Sequence, residues 1–151
     1  MQQRKEGGLL TLDTFDVLIV DDEADFRDSL LKRLKKRNLN VSGAGSGEEA
    51  LAVLKEEPVD VVILDVKMPG MNGIDTLSAI KRLRPLVEVI MLTGHANVEV
   101  AMEGMEKGAF DYLMKPMDID ELLYKLQDAC KKKRLNEKRE RPVAPRSGSA
   151  A

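Results

Sequence analysis

The sequence contains no tryptophan, three phenylalanines, two tyrosines, one cysteine and one histidine. So few rings exclude an aromatic core, and packing must come from Val, Ile, Leu and Met. Cys130 alone cannot form an internal disulfide. Cys130 and His95 lie far apart as the only soft ligands, which argues against a zinc site. No run approaches ~20 apolar residues, so a membrane span is not expected. The N-terminus, MQQRKEGGLLTLDTF, lacks the apolar segment of a secretory signal. The cytoplasm is therefore the expected compartment.

What is present is a chain of 151 residues, 43% apolar and 33% charged, the balance of one globular domain with a real core. Its net charge of −2 conceals an asymmetry. Residues 131–151 carry eight Lys/Arg against Glu137 and Glu140, a balance of +6, which leaves −8 on residues 1–130. The basic stretch has no interleaved aromatics and no DNA-reading motif, so direct nucleic-acid binding is not expected. Its charges suit the C-terminal end of a last helix and a solvated tail. Residues 1–14 read as a flexible extension and 15–134 as the folded domain. Pro142, Pro145 and Ser-Gly-Ser mark 135–151 as a basic, disordered tail.

Two kinds of segment alternate along the domain. Short apolar runs at Asp16–Val20, Asn40–Ala44, Val59–Leu64, Val87–Leu92 and Phe110–Met114 read as strands. Val17–Val20 and Val61–Leu64 are apolar without alternation, as in strands covered on both faces of a parallel sheet. Between them lie segments of helical period. The first, near Ala24 to Arg37, places Phe26, Leu30 and Leu34 on one stripe. The second opens on the capping box Ser46-Gly47-Glu48-Glu49 and buries Ala50, Leu51 and Leu54. The third runs from Gly73 to Leu83 and stops ahead of Pro85. The fourth places Val98, Ala101, Met102 and Met105 on its inner stripe, with Gly108 as a C-terminal cap. The fifth opens at Asp118 and buries Leu122, Leu123, Leu126, Ala129 and Cys130. Five βα units make an α/β, doubly wound (βα)5 fold, with a five-stranded parallel sheet and helices on both faces.

Asp21, Asp22, Asp65, Thr93 and Lys115 all fall where a strand gives way to a loop, in I-V-D-D, I-L-D-V-K-M-P-G, V-I-M-L-T-G and D-Y-L-M-K-P. In open α/β sheets, ligands bind beyond these carboxyl ends. Three gathered carboxylates repel and raise one another's pKa values unless a cation lies among them. Mg²⁺ suits a few carboxylates, waters and a phosphate. The short D-x-D-x-D-G loop of a calcium EF-hand is missing. With Mg²⁺ in place, Lys115 and the Thr93 hydroxyl can hold phosphoryl oxygens. Asp65 can act as nucleophile and form an aspartyl phosphate.

This constellation resembles the receiver domain of two-component response regulators, over roughly Asp16 to Lys133. The K-M-P-G-M-N-G turn, L-T-G-H and K-G-A-F-D-Y-L-M-K-P are similar to receivers of nitrogen-regulator-like proteins. The resemblance implies a flavodoxin-like strand order 2-1-3-4-5. It also implies that Asp65 accepts a phosphoryl group from a sensor histidine kinase. Asp22 then binds Mg²⁺ directly, Asp21 mainly through water, and the Lys67 backbone carbonyl completes the metal site. Thr93 and Lys115 contact the phosphoryl oxygens, and the Lys115–Pro116 bond is cis. Thr93 and Tyr112 are implied switch residues that remodel the face of helix four, strand five and helix five, where an effector protein or a second copy docks. Lys67 and His95 are implied modifiers of the phosphoryl lifetime.

No ATPase or DNA-binding domain follows in the sequence, so the expectation is a stand-alone receiver phosphoprotein that assists its own phosphorylation and dephosphorylation without turning over external substrates. A phosphorelay intermediate or a phosphate sink is the alternative output. A haloacid-dehalogenase-type phosphatase also uses an aspartyl phosphate, but needs a second Asp two residues after the nucleophile. Lys67 stands there, and after Asp22 the same offset gives Ala24. A DNA-binding regulator would have to read DNA through residues 131–146, too short for a helix-turn-helix. Tyr112 taken alone reads as a strand aromatic, and Met102 and Met105 as core.

Overall fold

The computed structural model describes residues 14–67, 72–94 and 97–140. Among them, five strands alternate with five helices. These are β1 Asp16–Val20, α1 Ala24–Lys35, β2 Asn40–Ala44, α2 Gly47–Glu56, β3 Val61–Asp65, α3 Gly73–Leu83, β4 Glu88–Thr93, α4 Val98–Glu106, β5 Asp111–Met114 and α5 Ile119–Glu140. All strand pairs are parallel, in the order β2-β1-β3-β4-β5. This is the expected flavodoxin-like arrangement, with the order reversing between β1 and β3.

The period-2 alternation of each strand sorts its side chains between two cores. Val17, Ile19, Val61, Ile63, Ile90 and Leu92 point to one face, where Leu30 and Leu34 of α1 and Leu122 and Leu126 of α5 cover them. Leu18, Val20, Val62, Leu64, Val89 and Met91 point to the other, against Leu54 of α2 and Leu77 and Ile80 of α3. Three central strands buried on both faces explain the unbroken apolar runs.

Local signals in the sequence set most helix ends. The Ser46 hydroxyl accepts the Glu49 N–H at 3.1 Å, while Glu49 Oε1 reaches back to the Gly45 N–H at 2.7 Å. That is one residue earlier than a strict capping box. Gly108, just past α4, has φ +111°, the left-handed cap its residue type predicted. Asn38 closes the turn after α1 at φ 66°, so this helix ends at Lys35 rather than Arg37.

Two expectations need correction. Met102 and Met105 are not core: they are 57% and 37% exposed. α4 instead packs through Ala101 and Gly104, and a Cβ at Gly104 would lie 2.2 Å from the Met91 sulfur. The small residues form the inner stripe because they let α4 approach β4 closely, which turns the methionines outward. Residues 135–140, expected to be part of the tail, continue α5. The expected 1–14 extension and the rest of the tail fall outside the described residues, except Thr14, whose hydroxyl donates to the Asn38 carbonyl.

The basic run on α5 does more than complement a helix end. Lys133 Nζ donates to Asp60 Oδ1 at 2.9 Å, Arg134 lies 3.4 Å from Asp60 Oδ2, and Lys132 lies 3.5 Å from Glu88. Asp60 and Glu88 sit at the N-terminal edge of the sheet and are 5% and 3% exposed. Burial alone would raise the Asp60 carboxyl. The Asp16 N–H, Lys133 and Arg134 outweigh it and hold the group below the usual carboxylate range. A carboxylate depressed in the folded state contributes stability above its unfolded pKa and loses that contribution as pH falls through the folded one. Asp60→Ala is expected to cost about 3 kcal/mol near neutrality, the low end for a broken buried pair because Glu137 still meets Lys133. Urea unfolding of parent and variant should converge as pH drops below about 4.

Candidate functional site

The site is assembled by register. β1 and β3 run side by side with Val20 opposite Leu64, so the next residues along, Asp21 just past β1 and Asp65 at the end of β3, emerge side by side. Thr93 ends β4 beside Met114 of β5, and Lys115 follows, its N–H donating to the Thr93 carbonyl at 2.8 Å. One carboxylate oxygen from each of Asp21, Asp22 and Asp65 lies within 4.8 Å of the others. Asp21 and Asp65 are buried and Asp22 is exposed.

Both oxygens of Asp21 are engaged: Oδ1 accepts the Glu23 N–H at 2.9 Å and Oδ2 accepts Lys115 Nζ at 3.2 Å. The Asp21 carbonyl accepts Arg27 Nη1 at 2.7 Å, which ties the loop to the first turn of α1. Asp65 Oδ1 accepts the Lys67 N–H at 3.1 Å and lies 4.0 Å from Lys115 Nζ. Among the described residues, no group donates a hydrogen bond to Asp65 Oδ2. Asp22, Glu23, Asp65, Lys67, Asn97 and Lys115 line an open cavity of about 590 Å³ above the sheet. A second cavity of about 420 Å³ at the opposite end holds Arg84 and Lys133. Both cations are already paired there, with the Leu54 carbonyl and with Asp60.

Of the five strand-end positions, Asp21, Asp22, Asp65 and Lys115 are brought into direct proximity. Thr93 is adjacent but fully buried, and its hydroxyl donates to the Gly94 carbonyl at 3.1 Å instead of facing the cavity. Tyr112 is half-buried and packs against the core cluster beneath α2, α3 and α4. Lys67 is exposed at the cavity rim, and Lys115–Pro116 is cis. His95 and most of the K-M-P-G-M-N-G turn lie outside the described residues. Cys130 is buried in the core, and burial, with Asp60 nearby, pushes its thiol up to about 11, so it stays protonated and inert. Sequence reasoning missed Glu23, 3.9 Å from Lys115 Nζ, and Asn97. Glu23 was visible as a third consecutive acid, and Asn97 as a polar residue just ahead of an apolar helical stripe.

Three hard oxygen donors, with no sulfur or imidazole beside them among the described residues, fit a hard divalent cation. The electrostatics agree. Burial raises the Asp65 carboxyl to about 6, Asp21 and Asp22 push the same way, and the Lys67 N–H and Lys115 only partly oppose them. A carboxyl whose folded pKa is raised contributes stability below its unfolded pKa of about 4, and that contribution is lost as pH rises through about 6. In chelator, Asp65→Asn should therefore be more stable than the parent at pH 7 by about 2 kcal/mol. The difference should vanish near pH 4 in pH-resolved urea unfolding.

Known proteins place this geometry. Residues 17–127 match the response regulator receiver domain family. The transcriptional regulatory protein ZraR of Escherichia coli (strain K12) is 41% identical over 120 residues, covering 80% of this chain and 27% of the relative. A putative NtrX-like response regulator of Rickettsia bellii is 42% identical over 117 residues, covering 76% and 24%. This chain thus spans about a quarter of the length of these curated relatives. The solved receiver domain of NtrX from Brucella abortus superposes with a TM-score of 0.74 at 32% identity, covering 77% of this chain and 98% of that one. A receiver domain protein from Clostridium thermocellum gives 0.77 at 36%, covering 80% and 98%. Receivers of two-component systems are switches phosphorylated on aspartate by histidine kinases, and no helix among the described residues is long and apolar enough to cross a membrane. Strand order, an acidic cluster at the point where that order reverses, and a family match across the whole sheet agree: the chain belongs to the response regulator receiver family.

Proposed function

We propose that this receiver takes a phosphoryl group from a histidine kinase onto Asp65 and passes the signal on through a protein–protein surface. The observation that carries this reading is the Asp65 carboxylate, whose Oδ2 meets no donor among the described residues, in an open cavity beside an ammonium and two further carboxylates. In the transfer, Asp65 Oδ2 bonds to phosphorus as the phosphorus–nitrogen bond of the donor phosphohistidine breaks, and its electron pair returns to the imidazole. Lys115 neutralises charge on the phosphoryl oxygens, and the Thr93 hydroxyl turns from Gly94 to meet them. Asp21, Asp22, Asp65 and the Lys67 carbonyl would hold Mg²⁺, which supplies positive charge against the incoming phosphoryl group. Asp21 acts differently from its neighbours: its oxygens are engaged by Glu23 and Lys115, so it orients the ammonium as well as adding to the acidic field.

A switch fits this reading better than a hydrolase. Lys67 occupies the place where a phosphatase of the aspartyl-phosphate type needs a second acid to activate water, and its ammonium cannot do that. For output, α4 and α5 flank the edge strand β5 and expose Met102, Met105 and Tyr124, the last 71% accessible. Large apolar side chains at such a rim favour docking of an effector or a second copy. Thr93 and Tyr112 link that face to the phosphoryl site, and Lys67 and His95 modulate the lifetime. The proposed role belongs to the receiver itself.

Incubation with a small phosphodonor such as acetyl phosphate and Mg²⁺ should add one phosphoryl mass. Peptide mapping should place it on Asp65, Asp65→Asn should abolish it, and Lys115→Ala should slow it at least tenfold, roughly one charge-assisted hydrogen bond. Labelling that persists in Asp65→Asn would sink the assignment. Turnover of exogenous phosphoesters would favour the phosphatase instead.

A further inference from the structure

Phe26 reads in the sequence as one more core residue of α1, on the stripe with Leu30 and Leu34. The structure gives it a second contact. Lys115 Nζ lies over its ring, 4.3 Å from the centroid, well inside the range of a cation–π interaction. The same ammonium sits 3.2 Å from Asp21 Oδ2, 3.9 Å from Glu23 Oε1 and 4.0 Å from Asp65 Oδ1. Phe26 is therefore the uncharged neighbour in an otherwise acidic surround.

Both partners are held from the backbone. The ring is half-buried and packs against the core between the sheet and α1 and α5. Its helix is pinned to the acidic loop twice, by the Arg27 N–H on the Glu23 carbonyl at 2.9 Å and by Arg27 Nη1 on the Asp21 carbonyl at 2.7 Å. Gly43 and Gly45 leave room for that arginine, since a Cβ at either would come within 3.1 and 3.2 Å of its side chain. Lys115 is fixed by its own N–H on Thr93. Ring and ammonium thus meet because β1–α1 and β5 deliver them to one place.

We propose that Phe26 is a positioning residue for Lys115, holding the ammonium at the mouth of the acidic cavity by cation–π attraction. The proposal rests on Lys115 serving the incoming phosphoryl group. A lysine stem is long and flexible, and its head is strongly hydrated. Carboxylates alone hold it less well once they are shared with a cation, because their charge is then divided between two partners. A ring carries no net charge to share, so its pull persists as the site fills. It also covers part of the ammonium from water. The attraction of about 0.5–1 kcal/mol expected at such a partly exposed site corresponds to a two- to fivefold effect.

The test compares Phe26→Leu, which keeps an apolar side chain, with Phe26→Tyr, which keeps the ring face. In the parent, the Lys115 ε-methylene protons should be shifted upfield in the NMR spectrum by the ring current, with assignment by their absence in Lys115→Arg. Phe26→Leu should abolish the shift and slow phosphoryl uptake from acetyl phosphate about two- to fivefold. Phe26→Tyr should retain the shift and restore roughly the parental rate. Equal rates in Phe26→Leu and the parent would overturn the proposal, as would a Phe26→Tyr rate as slow as that of Phe26→Leu. If Phe26→Leu unfolds, Phe26→Met supplies the same comparison. A parent that takes up no phosphoryl group overturns the proposed function instead, and the ring-current shift then decides the pairing by itself.

Discussion

Parallel register is the constraint on which the rest of the structure depends. Because β1, β3, β4 and β5 all run the same way and are aligned within a residue or two, whatever follows each strand is delivered to the same edge. Here that means three carboxylates and one ammonium. Burial makes the encounter costly: Asp65 ionises only near pH 6, against about 4 for a free side chain. The described residues do not relieve this strain, because Lys115 is a single charge shared among Asp21, Glu23 and Asp65. Such a cluster could hold a cation, whose charge would offset the repulsion.

The opposite edge of the sheet shows how the same chain deals with buried acids when no ligand is intended. Asp60 and Glu88 are as buried as Asp21 and Asp65, but α5 supplies Lys132, Lys133 and Arg134 directly over them. Asp60 is depressed where Asp65 is raised. Two ends of one sheet thus hold Asp60 and Asp65 in opposite electrostatic states. That contrast separates a structural clamp from a reactive centre more sharply than residue type could.

Much of this was legible in the sequence. Unbroken apolar runs at Val17–Val20 and Val61–Leu64 showed that the sheet is covered on both faces, and four of the five strand-end residues converge as their positions implied. The strand order came from resemblance, because periodicity says where strands are and not how they are arranged. Met102 and Met105 mislead because a stripe of large apolar side chains looks like the inner face, whereas the close contact with Met91 is made by Gly104. The role of Lys132 to Arg134 was hidden for a related reason. Their partners, Asp60 and Glu88, lie far away in sequence, and a charge run shows its sign but not its partner. Phe26 fits the core pattern well enough that nothing in the sequence pointed to its contact with Lys115.

Three repelling aspartates at one sheet edge should act together as one cation site. Isothermal calorimetry of Mg²⁺ binding to the parent and to Asp22→Asn tests it most directly, since Asp22 is exposed and its loss should spare the fold. A single site is expected in the parent, weakened at least tenfold in Asp22→Asn, about the 1.4 kcal/mol of one lost charge contact, while thermal stability in chelator stays level or rises slightly as repulsion on Asp65 is relieved. No Mg²⁺ binding in the parent, or equal affinity in the variant, would contradict it.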